Sequence, residues 1–203
     1  MGEAFISLFK FILFVFLLPG VIGVSTTFGL FFENYQSQLR DFLFWGAEAF
    51  LITFLFVHPF KGVFDFSQKI VVSIFKFLAP LDTFFGSLIP IYTSILIGGL
   101  FITEKFIDIA PFKYYFIFFI GFTYAMHIIL IAQQLQEQEK AFIKPSYFLM
   151  MSIIYIFNIC IAILFMGFLS NKFIFPDFFK TSISATWDIY LNIINKISMV
   201  KPS

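Results

Sequence analysis

The sequence predicts an all-α fold, a polytopic integral membrane helix bundle with about five transmembrane helices and two interfacial amphipathic helices. Hydrophobic residues make up 60% of the 203 residues and charged residues only 12%. A soluble domain of this size has too little interior to bury so much apolar surface. Three segments, 42–57, 114–135 and 147–169, are almost continuously apolar. Lipid is therefore the expected solvent for most of a single membrane domain covering residues 1–203.

Five segments approach the roughly 20 apolar residues that cross a hydrocarbon core of about 30 Å. In chain order, they are residues 11–32, 42–57, 84–102, 114–135 and 147–169. The first is too long for the apolar region of a signal peptide, so we expect it to be retained as a helix. The second ends at His58 and Pro59, where proline breaks a helix. The third contains Pro90, which a span tolerates when neighbouring helices satisfy the freed carbonyls.

Two further segments, about 61–78 and 176–196, have charged and apolar residues at helical spacing. This pattern predicts amphipathic helices that lie in the membrane interface, with their lysines extended toward the lipid headgroups. The predicted interfacial residues in and beside these segments are His58, Lys69, Lys76 and Trp187. For 61–78, an ordinary extramembrane linker helix is the alternative.

The small number of charged residues indicates which partners to expect and which side of the membrane the N-terminus lies on. A net charge of +1 provides no basic surface for nucleic acid, so we expect contacts with the lipid bilayer and with membrane proteins or further copies of the chain. The single cysteine, Cys160, excludes a disulfide framework and a thiolate metal site. Lysines near the ends of the spans favour a cytoplasmic N-terminus, although the lysines of the C-terminal tail oppose it.

Three polar residues, Glu48, His127 and Asn158, interrupt the apolar segments. Counted from the ends of their spans, they lie at about the same depth, so an intramembrane polar cluster is geometrically possible. Such residues are expensive in lipid unless they are partnered or line a wet cavity. They can act as hydrogen-bonding contacts between helices, or as a proton or ligand pathway.

The sequence contains no recognisable catalytic or metal-binding motif. His58 and His127 are its only histidines, whereas a catalytic zinc commonly takes about three protein ligands. No serine or cysteine lies beside a base in a nucleophile pattern, and no glycine-rich loop follows a strand. We therefore expect no catalytic residues, no metal and no cofactor.

Three segments together resemble the C-terminal half of bacterial site-2-protease-like, M50-type membrane proteins. They are LIPIYTSIL (88–96), GFTYAMHIILIAQQL (121–135) and SYFLMMSIIYIFNICI (146–161). FWGAEAFLITFLFVHPF (44–60) is more loosely similar to the span preceding the zinc motif of that family. The four segments extend from residue 44 to residue 161, so the similarity covers about 120 residues. It consists mostly of a shared pattern of apolar residues.

Where that family has His-Glu-x-x-His, this chain reads VFDFSQKIVVSIFKF (63–77), without a pair of metal ligands. The resemblance therefore implies a membrane frame without protease activity. We expect a non-catalytic structural or accessory subunit of a larger membrane assembly, located in a bacterial inner (cytoplasmic) membrane. A small transporter or lipid-handling protein that uses Glu48 and His127 is the alternative, and a divergent intramembrane hydrolase is a third.

Overall fold

The computed structural model describes residues 2–56, 60–79, 82–138, 145–170 and 172–199. All of its regular secondary structure in these ranges is helical, which confirms the all-α class. The helices are α1 (Gly2–Glu33), α2 (Ser37–Phe56), α3 (Phe60–Ile74), α4 (Asp82–Leu88), α5 (Ile91–Glu104), α6 (Lys113–Gln138), α7 (Pro145–Leu169) and α8 (Phe175–Met199), with a 3₁₀ turn at Lys76–Leu78.

Three of the described helices are long and apolar enough to cross a membrane. They comprise Phe5–Glu33, Lys113–Glu137 and Ser146–Leu169, and they correspond to the first, fourth and fifth predicted spans. The expected second span, in α2, is not among them. The expected third span is interrupted, because α4 ends at Leu88 and α5 begins at Ile91. A membrane protein is thus indicated, but the count of five spans is not confirmed.

The chain divides into two compact units. The first unit comprises Met1–Asn34 and Glu137–Ser203, and the second comprises Tyr35–Gln136. In the first unit, α1 and α7 run in the same direction. Lys10 Nζ donates to Ser146 Oγ at 2.8 Å, and the hydroxyls of Ser25 and Tyr155 are hydrogen-bonded at 2.9 Å further along both helices.

The amphipathic helix α8 packs antiparallel to α1 in the first unit. The ring centroids of Phe31 and Phe178 are 5.6 Å apart, and those of Phe16 and Tyr190 are 5.8 Å apart at the other end of the contact. The contact thus follows about 15 residues of α1, or roughly 22 Å. The helix α8 therefore packs along α1, and the position of 176–196 along the membrane surface stays a prediction.

In the second unit, the core forms where α2, α3 and α6 meet. The ring of Phe122 on α6 lies 5.3 Å from that of Phe50 on α2 and 6.1 Å from that of Phe60 on α3, measured between centroids. Phe50 is fully buried. Further along, Phe64 of α3 lies beside His127 of α6, so these two helices run parallel.

The helix α3 presents three different faces. Its buried face carries Phe64, Ser67 and Val71, whereas Val63, Phe66 and Ile74 remain exposed on an apolar face. The charged residues Lys61, Asp65 and Lys69 are exposed on a third face. A helix with protein, apolar and charged faces suits the boundary between lipid and water, and the interfacial position of 61–78 stays a prediction.

Candidate functional site

The helix that carries Glu48 is held against α6 by two glycines. A Cβ atom added to Gly46 would overlap the carbonyl oxygen of Phe118, and one added to Gly121 would overlap that of Leu43. The two backbones are therefore in direct contact, as small residues permit between membrane helices. This contact fixes which face of α2 turns toward α6.

Glu48 consequently lies on the opposite face of α2. Gly46 and Phe50 point toward α6, and a residue two positions from each is rotated by about 200°. Glu48 is exposed. Its neighbours one turn away are also exposed, with Phe44 at 54% and Ile52 at 59% of their full accessible surface. Within the second unit this carboxyl group thus lies away from α6, and its orientation toward the interior of a helix bundle stays a prediction.

His127 lies at the interruption between α4 and α5. Its side chain is only 5% exposed, and the imidazole is hydrogen-bonded to the backbone of Ser87. In a continuous helix the Ser87 carbonyl would accept from the amide of residue 91. The backbone at Pro90, with φ −76° and ψ 80°, is not helical. The imidazole therefore takes a place that the broken helix leaves open.

Gln68 of α3 lies next to this histidine site. Its side chain packs beside Gly86, the residue before Ser87. Gln68 Nε2 and His127 Nε2 are both buried without a hydrogen-bond partner among the described residues. An amide donor and an imidazole nitrogen are thus left without a partner near the helix break. Gln68 is the one amide side chain in the amphipathic segment 61–78, and no motif in the sequence distinguishes it.

Asn158 is buried in the first unit, with 1% of its surface exposed. Its Nδ2 donates to the carbonyl of Ile154, one turn earlier in α7, at 2.9 Å. Part of the hydrogen-bonding capacity of this amide is therefore used within its own helix, which is a common role for a polar residue in a membrane helix.

The structure does not bring Glu48 and His127 together by a hydrogen bond. Among the described residues, Glu48 makes no hydrogen bond or ion pair. The residues that the sequence predicts for the membrane interface belong to both units. Lys69 and Lys76 are exposed in the second unit, and Trp187 is 62% exposed in the first. His58 lies outside the described residues.

Within the described ranges, no group of three His, Cys, Asp or Glu residues is arranged to hold a metal ion. Comparison with protein-family models, curated proteins and solved structures finds no match to this chain. The resemblance to M50-type proteins stays a prediction from the sequence.

Proposed function

We propose that this protein is a non-catalytic accessory subunit of a larger membrane assembly, and that the exposed face of α2 binds its partner. The observation that carries the proposal is the position of Glu48 in an exposed apolar stripe. The stripe is made by Phe44, Trp45, Ile52 and Leu55, which are 53% to 71% exposed.

A carboxylate in such a stripe favours a protein partner over lipid. A charged side chain at the centre of a membrane helix costs at least about 2.5 kcal/mol, even on insertion scales. A neighbouring helix that supplies a lysine, arginine or amide donor would offset this cost by hydrogen bonding to the carboxylate. The large apolar side chains around Glu48 would then provide the packing surface. The partner proposed is therefore a membrane helix with one donor group in an otherwise apolar face.

Photo-crosslinking in membranes tests this proposal. A photoreactive amino acid at Ile52, one turn from Glu48, should crosslink to another protein, and Glu48→Leu should abolish that crosslink. Glu48→Gln should keep most of it, because an amide still forms a hydrogen bond. The same probe at Leu8, which is 58% exposed in the first unit, provides the control and should be unaffected by either substitution.

Two results would contradict the proposal. Crosslinks from position 52 that stay within the chain would mean that this face is covered by the protein itself. Crosslinks to lipid alone, unchanged in Glu48→Leu, would mean that the face has no protein partner.

A small transporter is the second candidate, and the helix break beside His127 favours it. Interrupted membrane helices often form solute sites, because their unwound backbone offers polar groups at membrane depth. Here the break coincides with buried polar atoms of His127 and Gln68. In liposomes with a trapped pH indicator, proton flux that depends on His127 and is lost in His127→Gln would support this function over the accessory role. Flux equal to that of empty liposomes would exclude proton transport.

A further inference from the structure

An open groove in the first unit lies between α1, α7 and α8. Its volume is about 280 Å³, and its lining includes Val24 from α1 and Ile156 and Cys160 from α7. These three residues belong to the candidate spans Phe5–Glu33 and Ser146–Leu169. The groove therefore adjoins two helices whose length and composition suit contact with lipid.

Three residues of α8 that line the groove carry hydroxyl groups, but their oxygen atoms are engaged with the protein or covered by it. The Tyr190 hydroxyl donates to the carbonyl oxygen of Phe16 on α1. Thr186 Oγ1 lies against Gly23 of α1, and Ser182 Oγ is buried without accessible surface. The surface of the groove is consequently almost entirely apolar, although some of its lining residues are polar.

This apolar surface favours an occupant without hydrogen-bonding groups. A polar group placed in the groove would lose its hydrogen bonds to water and gain almost none from the lining. The other lining residues on α8 are large apolar or aromatic side chains, namely Phe178, Phe179, Ile183 and Trp187. Burial of methylene groups against such side chains is favourable. The chemistry of the lining therefore matches a hydrocarbon chain.

The size of the groove excludes a partner helix as its occupant. The lining on α8 extends from Phe178 to Tyr190, which is roughly 18 Å of helix. A second helix about 10 Å wide would fill roughly 1,400 Å³ over that length, whereas the groove offers about 280 Å³. A helix could insert single side chains only, but one flexible chain of methylene groups can follow the groove along its length.

The charged residues of α8 beside the groove indicate which molecule carries that chain. Lys180 follows the lining residue Phe179 in the sequence, and Asp188 follows Trp187. Both charged residues are exposed, as is Asp177. A headgroup with both signs of charge would find an opposite charge on this helix for each of its own. The carboxylate of a free fatty acid would instead meet two carboxylates and one ammonium group.

We propose that this groove binds one acyl chain of a zwitterionic membrane phospholipid. The chain packs against the aromatic side chains of α8, and the headgroup lies toward the charged residues of the same helix. The proposal concerns the first unit, so it is independent of the partner assigned to Glu48 in the second.

The two tryptophans of the chain provide the test, because bromine atoms on an acyl chain quench a tryptophan that they contact. Trp187 lines the groove and is 62% exposed, whereas Trp45 on α2 is 53% exposed. The single-tryptophan variants Trp45→Phe and Trp187→Phe are titrated in dodecyl maltoside micelles with phosphatidylcholine brominated on one acyl chain. Quenching of Trp187 should saturate at one lipid per chain, while quenching of Trp45 should rise linearly with the lipid content of the micelle.

A substitution that fills the groove should weaken this binding. Cys160→Phe in the Trp45→Phe background places a ring in the groove and should lower the apparent affinity by about tenfold or more. Ser184→Phe adds the same ring to an exposed position of α8 outside the lining and should leave the affinity unchanged. Saturation that Cys160→Phe does not alter would overturn the proposal. Linear quenching of Trp187 in the unfilled groove would also overturn it, whether or not Cys160→Phe folds.

A second titration separates a phospholipid from a free fatty acid. Dibromostearate in alkaline buffer presents a similar brominated chain with a carboxylate in place of the zwitterionic headgroup. It should quench Trp187 with an apparent affinity about threefold to tenfold weaker than that of the brominated phosphatidylcholine, because of the two aspartates on α8. Equal or tighter binding of dibromostearate would mean that the phospholipid assignment is wrong.

Discussion

Within each of the two units, glycines allow neighbouring helices to approach closely, but the atoms that the glycines contact differ. In the second unit, Gly46 and Gly121 each face a backbone carbonyl of the opposite helix, so two backbones meet directly. In the first unit, Gly23 of α1 faces Thr186 of α8, and the closest atom there is the threonine hydroxyl. A side chain can rotate away from an added methyl group, whereas a backbone carbonyl moves only with its helix. The α2–α6 contact should therefore tolerate less change.

The largest expected effect follows from this difference. Gly46→Ala and Gly121→Ala should each lower the free energy of unfolding by about 1–3 kcal/mol, because the new methyl group forces two helices apart. Gly62→Ala is the control, since nothing lies within 4 Å of a Cβ at that position. Unfolding in mixed detergent micelles, followed by circular dichroism, measures the difference. Equal stability of all three variants would mean that α2 and α6 are not in backbone contact.

Gly23→Ala should have a smaller effect than the α2–α6 substitutions. Thr186 Oγ1 can rotate, but its backbone amide also lies 2.8 Å from the added Cβ position, so some helix displacement is still required. Gly29→Ala lies on the same helix with nothing within 4 Å and should be neutral or slightly stabilising, since alanine favours a helix. The same unfolding experiment decides the order. A greater loss for Gly23→Ala than for Gly46→Ala would reverse the comparison.

The two units also differ in the hydrogen bonds of their buried polar residues. His127 bonds the backbone of a different helix, whereas Asn158 donates to its own helix. His127→Leu should lower the free energy of unfolding by about 1 kcal/mol, less than the α2–α6 substitutions, because the Ser87 backbone loses its partner at a helix break. Asn158→Leu in the first unit should cost less, since Asn158 Nδ2 donates to a carbonyl of its own continuous helix. The measurement is again detergent unfolding. A larger loss for Asn158→Leu would indicate that Asn158 joins helices rather than bonding locally.

Much of the helical arrangement was predictable from the sequence. The apolar segments 114–135 and 147–169 lie within α6 and α7, because about 20 apolar residues in a row favour a membrane helix. The break at Pro90 was not predicted. Proline can remain inside a span or end a helix, and the neighbouring residues decide which. Here His127, 37 positions later in the sequence, bonds the backbone at the break.

The candidate site was less predictable. The depth of a residue in the membrane follows from its position along the helix, but the sequence does not show which face of the helix turns toward its neighbours. The sequence predicts a common depth for Glu48 and His127, but the face that α2 turns toward α6 is set by the close approach at Gly46 and Gly121. Gln68 gave no sequence signal, because polar residues on an amphipathic helix are ordinarily exposed. The burial of its Nε2 atom depends on which face of α3 packs against the protein.

The smallest effect is expected for Glu48→Gln in the isolated protein. Glu48 is exposed and makes no ion pair within the described residues, so its substitution should change the free energy of unfolding by less than about 0.5 kcal/mol. The contrast with His127→Leu is the informative result, since both residues interrupt apolar helices. In membranes, by comparison, Glu48→Leu should abolish the crosslink from position 52. A marked loss of stability in detergent for Glu48→Gln would instead place this carboxyl group inside the fold, as the sequence predicts.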